Sequence, residues 1–95
     1  MHAMLRTYSG PGAKAFAKLM EERKADIEKI VKSVPDLVSY SVASTSDGAF
    51  SVTVGKDKNS VDDMHKRALA WIKENAGHTK VKSPSVSEGS VILHL

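Results

Sequence analysis

Three observations place this 95-residue chain in the α+β class, as a ferredoxin-like βαββαβ domain on a four-stranded antiparallel sheet. Two segments alternate apolar and polar residues on either side of an Asp-Gly pair, the pattern of a hairpin. Two others carry apolar residues at steps of three and four, the pattern of amphipathic helices. These segments follow one another as strand, helix, strand, strand, helix, strand, with no internal repeat.

The first strand is read at residues 2–8, HAMLRTY. Ser9-Gly10-Pro11-Gly12 is a turn, and Pro11 suits the first turn of a helix. Phe16, Met20, Ile27, Ile30 and Val34 then form one stripe, widened by Leu19 and Val31, with Arg23 as its one polar break. This predicts a single long helix ended at Ser33-Val34-Pro35, because proline restricts the residue before it. The hairpin occupies residues 37–55, with Asp47-Gly48 between its strands. Ser60-Val61-Asp62-Asp63 resembles a capping box for a second helix, its acidic pair suited to the positive end of the helix dipole. That helix buries Val61, Met64 or His65, Ala68, Leu69, Ile72 and Ala76, and stops near Gly77. A polar connection covers 78–89, and Ser90-Val91-Ile92-Leu93-His94-Leu95 closes the chain as the fourth strand.

Ninety-five residues form one domain, 1–95. No apolar run approaches the roughly 18 residues of a membrane span, and residues 1–6 lack the features of a signal peptide. The absence of cysteine excludes disulfides, thiolate metal sites and a cysteine nucleophile, and makes the cytoplasm the expected location. The net charge of +3 is mild and the charges are mixed, which argues against a nucleic-acid surface.

Strand alternation sorts side chains onto two faces. Ala3, Leu5, Thr7, Val38, Tyr40, Val42, Phe50, Val52, Val54, Val91, Leu93 and Leu95 are expected to face the helices. His2, Met4, Arg6, Tyr8, Ser39, Ser41, Ser51, Thr53, Ile92 and His94 would face away from them, and a one-residue slip in any strand would exchange its sets. In this topology the first and last strands are antiparallel neighbours, so His2 and His94 would lie side by side. His2, His94, Arg6 and Tyr8 are therefore the candidate catalytic set. On that face only Tyr8 is an aromatic stacking platform, too few for an RNA-recognition sheet. His65 and Asp62, three residues apart on a helix, are too few for a metal site and read as a surface pair. Trp71 borders the stripe of the second helix, either as packing or as a pocket wall.

Met4-Leu5-Arg6-Thr7-Tyr8-Ser9-Gly10, the hairpin VPDLVSYSVASTSDGAFSVTV, the helix segment ALAWIKEN and the ending SVSEGSVILHL together carry a family resemblance across nearly the whole chain. The sequence resembles small bacterial proteins of the antibiotic-biosynthesis-monooxygenase-like, dimeric α+β barrel superfamily. The resemblance implies a homodimer whose two sheets face each other, with Ser39, Ser41, Ser51 and Thr53 lining the space between them and Trp71 near a small organic ligand. It implies either cofactor-independent oxygenation or simple ligand binding, with no metal. In the oxygenase case His2 or His94 would act as base, and Arg6 and Tyr8 would stabilise an anion. A non-enzymatic homodimer with packed sheet faces, serving as an accessory or stress-response protein, is the alternative. Two departures bear on the reading. Asp36-Leu37 stands where the group has Gly-Phe, removing an aromatic. The first strand also lacks the Asn that haem-degrading relatives use, so haem is not expected.

Overall fold

A computed structural model describes residues 1–95. Four strands, β1 (His2–Tyr8), β2 (Leu37–Thr45), β3 (Gly48–Gly55) and β4 (Ser85–Ser90), form one antiparallel sheet in the order β2-β3-β1-β4. Three helices, α1 (Ala13–Glu22), α2 (Lys24–Ser33) and α3 (Lys58–Asn75), cover one face of it. This is the ferredoxin-like arrangement expected from the order of elements. None of the helices is long and apolar enough to cross a membrane.

Three local expectations need correction. The first long helix is two helices, broken at Arg23, whose backbone leaves the helical region at φ −112°, ψ 30°. The polar interruption of the stripe is the break itself. Arg23 turns outward to Asp26 and Asn75 and lies 5.8 Å from the Trp71 ring centre, tying the junction to α3. Secondly, α3 begins earlier than the Ser60 box. Asp57 is its N-cap, accepting from the Ser60 amide at 2.8 Å, while the Ser60 hydroxyl returns a bond to the Asp57 carbonyl. Its buried side is Val61, Met64, Ala68 and Trp71, and Leu69 points to solvent. α3 stops just before Gly77, as expected, ending at Asn75 with Ala76 as its C-cap, and a short 3-10 turn, Gly77–Thr79, follows. Finally, the fourth strand is Ser85–Ser90, taken from the supposed connection, and residues 91–95 run on beyond it.

The faces of β1 and β3 are reversed from the expected phase. Met4, Arg6 and Tyr8 are buried under the helices while Leu5 is 41% exposed on the outer face. Ala49, Ser51 and Thr53 are likewise buried, and they lie opposite Tyr8, Arg6 and Met4. By the same pairing Phe50 and Val52 lie opposite Thr7 and Leu5, on the outer face. β2 keeps its expected phase from Ser39 onward, with Tyr40 opposite Thr53 and Val42 opposite Ser51. Val38 sits at a register irregularity between Leu37 and Ser39.

Core packing gathers Tyr8, Ala13, Phe16, Met20, Ala49, Trp71 and Ala76, with Tyr8 and Phe16 rings 4.7 Å apart. Glycine is required where β3 meets this core. A Cβ on Gly48 would come within 2.1 Å of the Tyr8 carbonyl oxygen and 2.9 Å of the Ala13 methyl. Gly12, which starts α1 at φ 85°, has the same need, with the Thr79 carbonyl 2.3 Å from its Cβ position.

Candidate functional site

The centre of the helix-facing side is a buried cation. Arg6 is 1% exposed, held at the middle of β1 with strands on both sides and α3 above. Its Nε donates to Ser51 Oγ at 3.0 Å, directly across the β1–β3 pair. One terminal nitrogen donates to the Tyr40 hydroxyl on β2 at 3.1 Å. The other meets His65 Nδ1 on α3 at 3.4 Å. All three partners are uncharged in the forms they take here, and no carboxylate pairs with Arg6. A guanidinium out of water without a counter-charge costs several kcal/mol, roughly, even when its N–H groups are bonded.

The neighbours respond to it. Burial, reinforced by the Arg6 charge and opposed by Asp62 and Glu88, holds the His65 imidazole below the usual histidine range, so it is neutral and can accept from Arg6. Burial pushes the Tyr8 phenol up, with Arg6 pulling the other way. Tyr8 makes no side-chain hydrogen bond within the chain, yet its hydroxyl is not sealed off from solvent-sized space. It is a free polar group in an otherwise buried residue.

That space is narrow. Arg6, Tyr8, Tyr40, Ser51, Met64 and Trp71 line a mostly apolar interior gap of about 10 Å³, room for one water at most. Met20, Ile27 and Tyr40, which also line this gap, form the floor of an outer groove of about 270 Å³ between β2 and the α1–α2 pair. Lys24 stands at its rim without an ion-pair partner, whereas Lys32 beside it pairs with Glu28 at 2.8 Å. The groove and the cation are thus separated by three side chains, one of them a flexible methionine. α2, which roofs the groove, buries none of its residues. Polar bonds hold it at its two ends. Asp26 accepts from Trp71 Nε1 at 3.4 Å, and Arg67 donates to Ser33 Oγ at 2.9 Å.

Across its length the chain superposes on solved structures of low identity. MhuD from Mycobacterium tuberculosis, a heme degrader solved with two hemes in its active site, is 15% identical with a TM-score of 0.68, over 100% of this chain and 99% of that one. The ActVA-Orf6 monooxygenase of Streptomyces coelicolor, solved with nanaomycin D, is 12% identical with a TM-score of 0.61, over 99% of this chain and 88% of that one. SnoaB, a cofactor-independent oxygenase from Streptomyces nogalater, is 13% identical with a TM-score of 0.56, over 99% and 93%. The chain has the ferredoxin-like α+β fold of these dimeric α+β barrel proteins. No model of a protein family matches it, and no curated protein matches it. At these identities the barrel fold is what is shared, and a fold hosts many chemistries.

Within the barrel fold the sequence-derived candidates separate. Arg6, Tyr8, Ser51 and Trp71 line one gap, and Thr53 is buried on the same side. Ser39 and Ser41 lie across the sheet from them, so the four hydroxyls do not line one space. His2 is opposite Ser90 at the start of β1, where its Nε2 is 2.8 Å from Glu88, and both His2 and Lys58 hold that carboxyl below its usual range. His94 is exposed in the segment after β4 and is no neighbour of His2. Their expected pairing fails because β4 lies five residues earlier than its apolar ending suggested. Sequence reasoning did not name Tyr40 or His65 as site residues: Tyr40 was assigned to the core, and His65 to the buried side as an alternative to Met64 or to a surface pair with Asp62. His65 falls four residues after the buried Val61, on the helix side that meets the sheet, and that spacing was the available signal. Asp62, its supposed partner, pairs with Lys58 at 2.9 Å. No three His, Cys, Asp or Glu side chains converge on a metal site.

Proposed function

We propose that this protein binds a small, flat, mostly apolar organic molecule carrying one acidic oxygen, between the sheet and the helices, and oxidises it without a cofactor. The observation that carries the reading is Arg6, a buried guanidinium whose only partners are neutral. Such a group is most favourable when an anion joins it, and the apolar lining supplies no anion of its own. The ring system would lie in the groove over Met20, Ile27 and Val42, with its oxygen passing Tyr40 toward Arg6 and the free Tyr8 hydroxyl. Lys24 at the rim favours the approach of an anion.

His65 replaces His2 and His94 as the proton acceptor in this reading. It is neutral, and its Nδ1, which accepts from Arg6 in the free protein, becomes the base once the guanidinium turns to the bound anion. In the reaction, a phenol or enol loses its proton to His65. The electron-rich anion adds dioxygen to carbon, the resulting peroxide takes the proton back from His65, and the hydroperoxide loses water, with the hydrogen on the same carbon, to leave a quinone-type carbonyl. One O2 is consumed, one oxygen atom enters the product and the other leaves as water. The fold shared with the oxygenases above supports this class of chemistry as an analogy. We further infer a cytoplasmic homodimer joined through the outer sheet face, with no nucleic acid or membrane as partner.

Trp71, the sole tryptophan, lines the gap and reports on binding. Titration with hydroxylated anthrones and naphthols is expected to quench its fluorescence saturably, with oxygen uptake for those that turn over. Arg6→Met is expected to weaken binding tenfold or more. If no planar phenol binds, the site reading fails and the non-enzymatic dimer takes its place.

A further inference from the structure

Only one ring nitrogen of His65 is accounted for. Its Nδ1 meets the Arg6 guanidinium at 3.4 Å, and a guanidinium only donates, so Nδ1 accepts and the ring hydrogen sits on Nε2. That hydrogen points away from Arg6 and has no partner within the chain. A histidine base gains from a partner on its second nitrogen, which fixes the ring and offsets the charge that protonation creates.

Two carboxylates stand in the cleft between α3 and β4. Lys58, Asp62 and His65 follow at steps of four and three, so they form one row along α3. Lys58 reaches Glu88 of β4 at 3.2 Å, so the row faces β4. Glu88 lies opposite Met4 of β1, and thus on the helix side of the sheet with it. It is held twice, by Lys58 and by His2 at 2.8 Å. Asp62 is held once, by the same Lys58 at 2.9 Å. The difference decides between them. If Glu88 moves, His2 loses its partner. If Asp62 moves, Lys58 keeps Glu88 and no charge is left alone. Around the imidazole, Arg6 of β1 opposes protonation, while Asp62 and Glu88 favour it, with Lys58 and His2 behind the two carboxylates. The Tyr40 hydroxyl of β2 bonds Arg6 and brings no charge.

We propose that Asp62 is the positioning residue for His65. When a bound anion draws the guanidinium away, Asp62 turns from Lys58 and accepts from Nε2–H. The ring is then held with Nδ1 toward the ligand, and the carboxylate faces the positive charge formed when Nδ1 takes the proton. The proton stays on Nδ1 until the peroxide takes it back, and Asp62 takes none. The role rests on the reaction proposed above and adds what sets the aim and strength of its base.

The test compares wild type, Asp62→Asn and Asp62→Glu on the full chain, with a hydroxylated naphthol or anthrone as substrate. Asp62 is half-exposed, so the fold, followed by circular dichroism, is expected to persist. In Asp62→Asn, binding read from Trp71 fluorescence should be unchanged, while kcat falls about three- to tenfold. The acid limb of kcat/KM should move to lower pH, because removing the carboxylate lowers the imidazole pKa. Asp62→Glu keeps a carboxylate on the row and should recover most of the loss. If wild type turns over and either kcat or the acid limb is unchanged in Asp62→Asn, the role of Asp62 is overturned and the reaction stands. A wild type that oxidises no phenol overturns both.

Discussion

The two faces of this sheet are furnished in the opposite sense to an ordinary half-buried sheet. The face under the helices carries Arg6, Ser51, Thr53 and Tyr40 at its centre, with an apolar frame of Phe16, Met20, Met64 and Trp71 above them. The face away from the helices carries Leu5, Val52 and Phe50 among small residues. Antiparallel sheets with one covered face normally put apolar residues in and polar residues out. The reversal teaches that neither face is there for simple packing. The inner polar centre is arranged around a charge that the fold does not neutralise, and the outer face leaves apolar side chains uncovered in the single chain.

Substitutions can sharpen this contrast. The largest effect is expected from the frame. Phe16→Ala, in the buried contact with Tyr8, should lower unfolding free energy by about 3–5 kcal/mol in urea denaturation. Gly48→Ala should cost roughly 1–3 kcal/mol, because its methyl must push apart β1 and α1. Leu5→Ala, measured in a dilute sample where the monomer dominates, should change stability by less than about 0.5 kcal/mol, since its side chain is already half in water. A loss comparable to Phe16→Ala would show that the outer face is core after all.

The smallest effect concerns pH. The His65 imidazole titrates lower in the folded chain than in the unfolded one, because of burial and Arg6. Above about pH 6.5 both states are neutral there and the group is without effect. As pH falls below that, the unfolded chain takes the proton first, so stability is lost down through the folded pKa. His65→Gln should flatten this acid slope by up to one proton per molecule below about pH 6.5. An unchanged slope would mean that neither burial nor the guanidinium lowers the imidazole.

The same reversal explains what could be read from the sequence. Element order, the hairpin and the long stripe of α3 depend on periodicity, and periodicity survives any choice of face. The phase of β1 and β3 depends on assuming that apolar residues point inward. In Leu5-Arg6-Thr7-Tyr8 and Phe50-Ser51-Val52-Thr53 that assumption selects the wrong set. Arg6, Tyr8, Ser51 and Thr53 were thus legible as site candidates but assigned to the wrong side, and Ser39 and Ser41 were grouped with them in error. β4 was misplaced for a related reason. Ser85–Ser90 has little apolar content because its side chains are exposed, and the apolar Val91–Leu95 stretch looked more like a strand. His65 was hidden because its partner is distant in sequence and on another element.

The central claim is that Arg6 is kept for a ligand and not for the fold. Urea unfolding of wild type and Arg6→Met at one protomer concentration, without ligand, tests it most directly. The account predicts that Arg6→Met is as stable as wild type, or more stable by about 1–2 kcal/mol, because a buried unpaired charge is replaced by an apolar side chain of similar length. A loss of about 3 kcal/mol or more would show Arg6 to be a structural hub for Ser51, Tyr40 and His65, and would contradict the account.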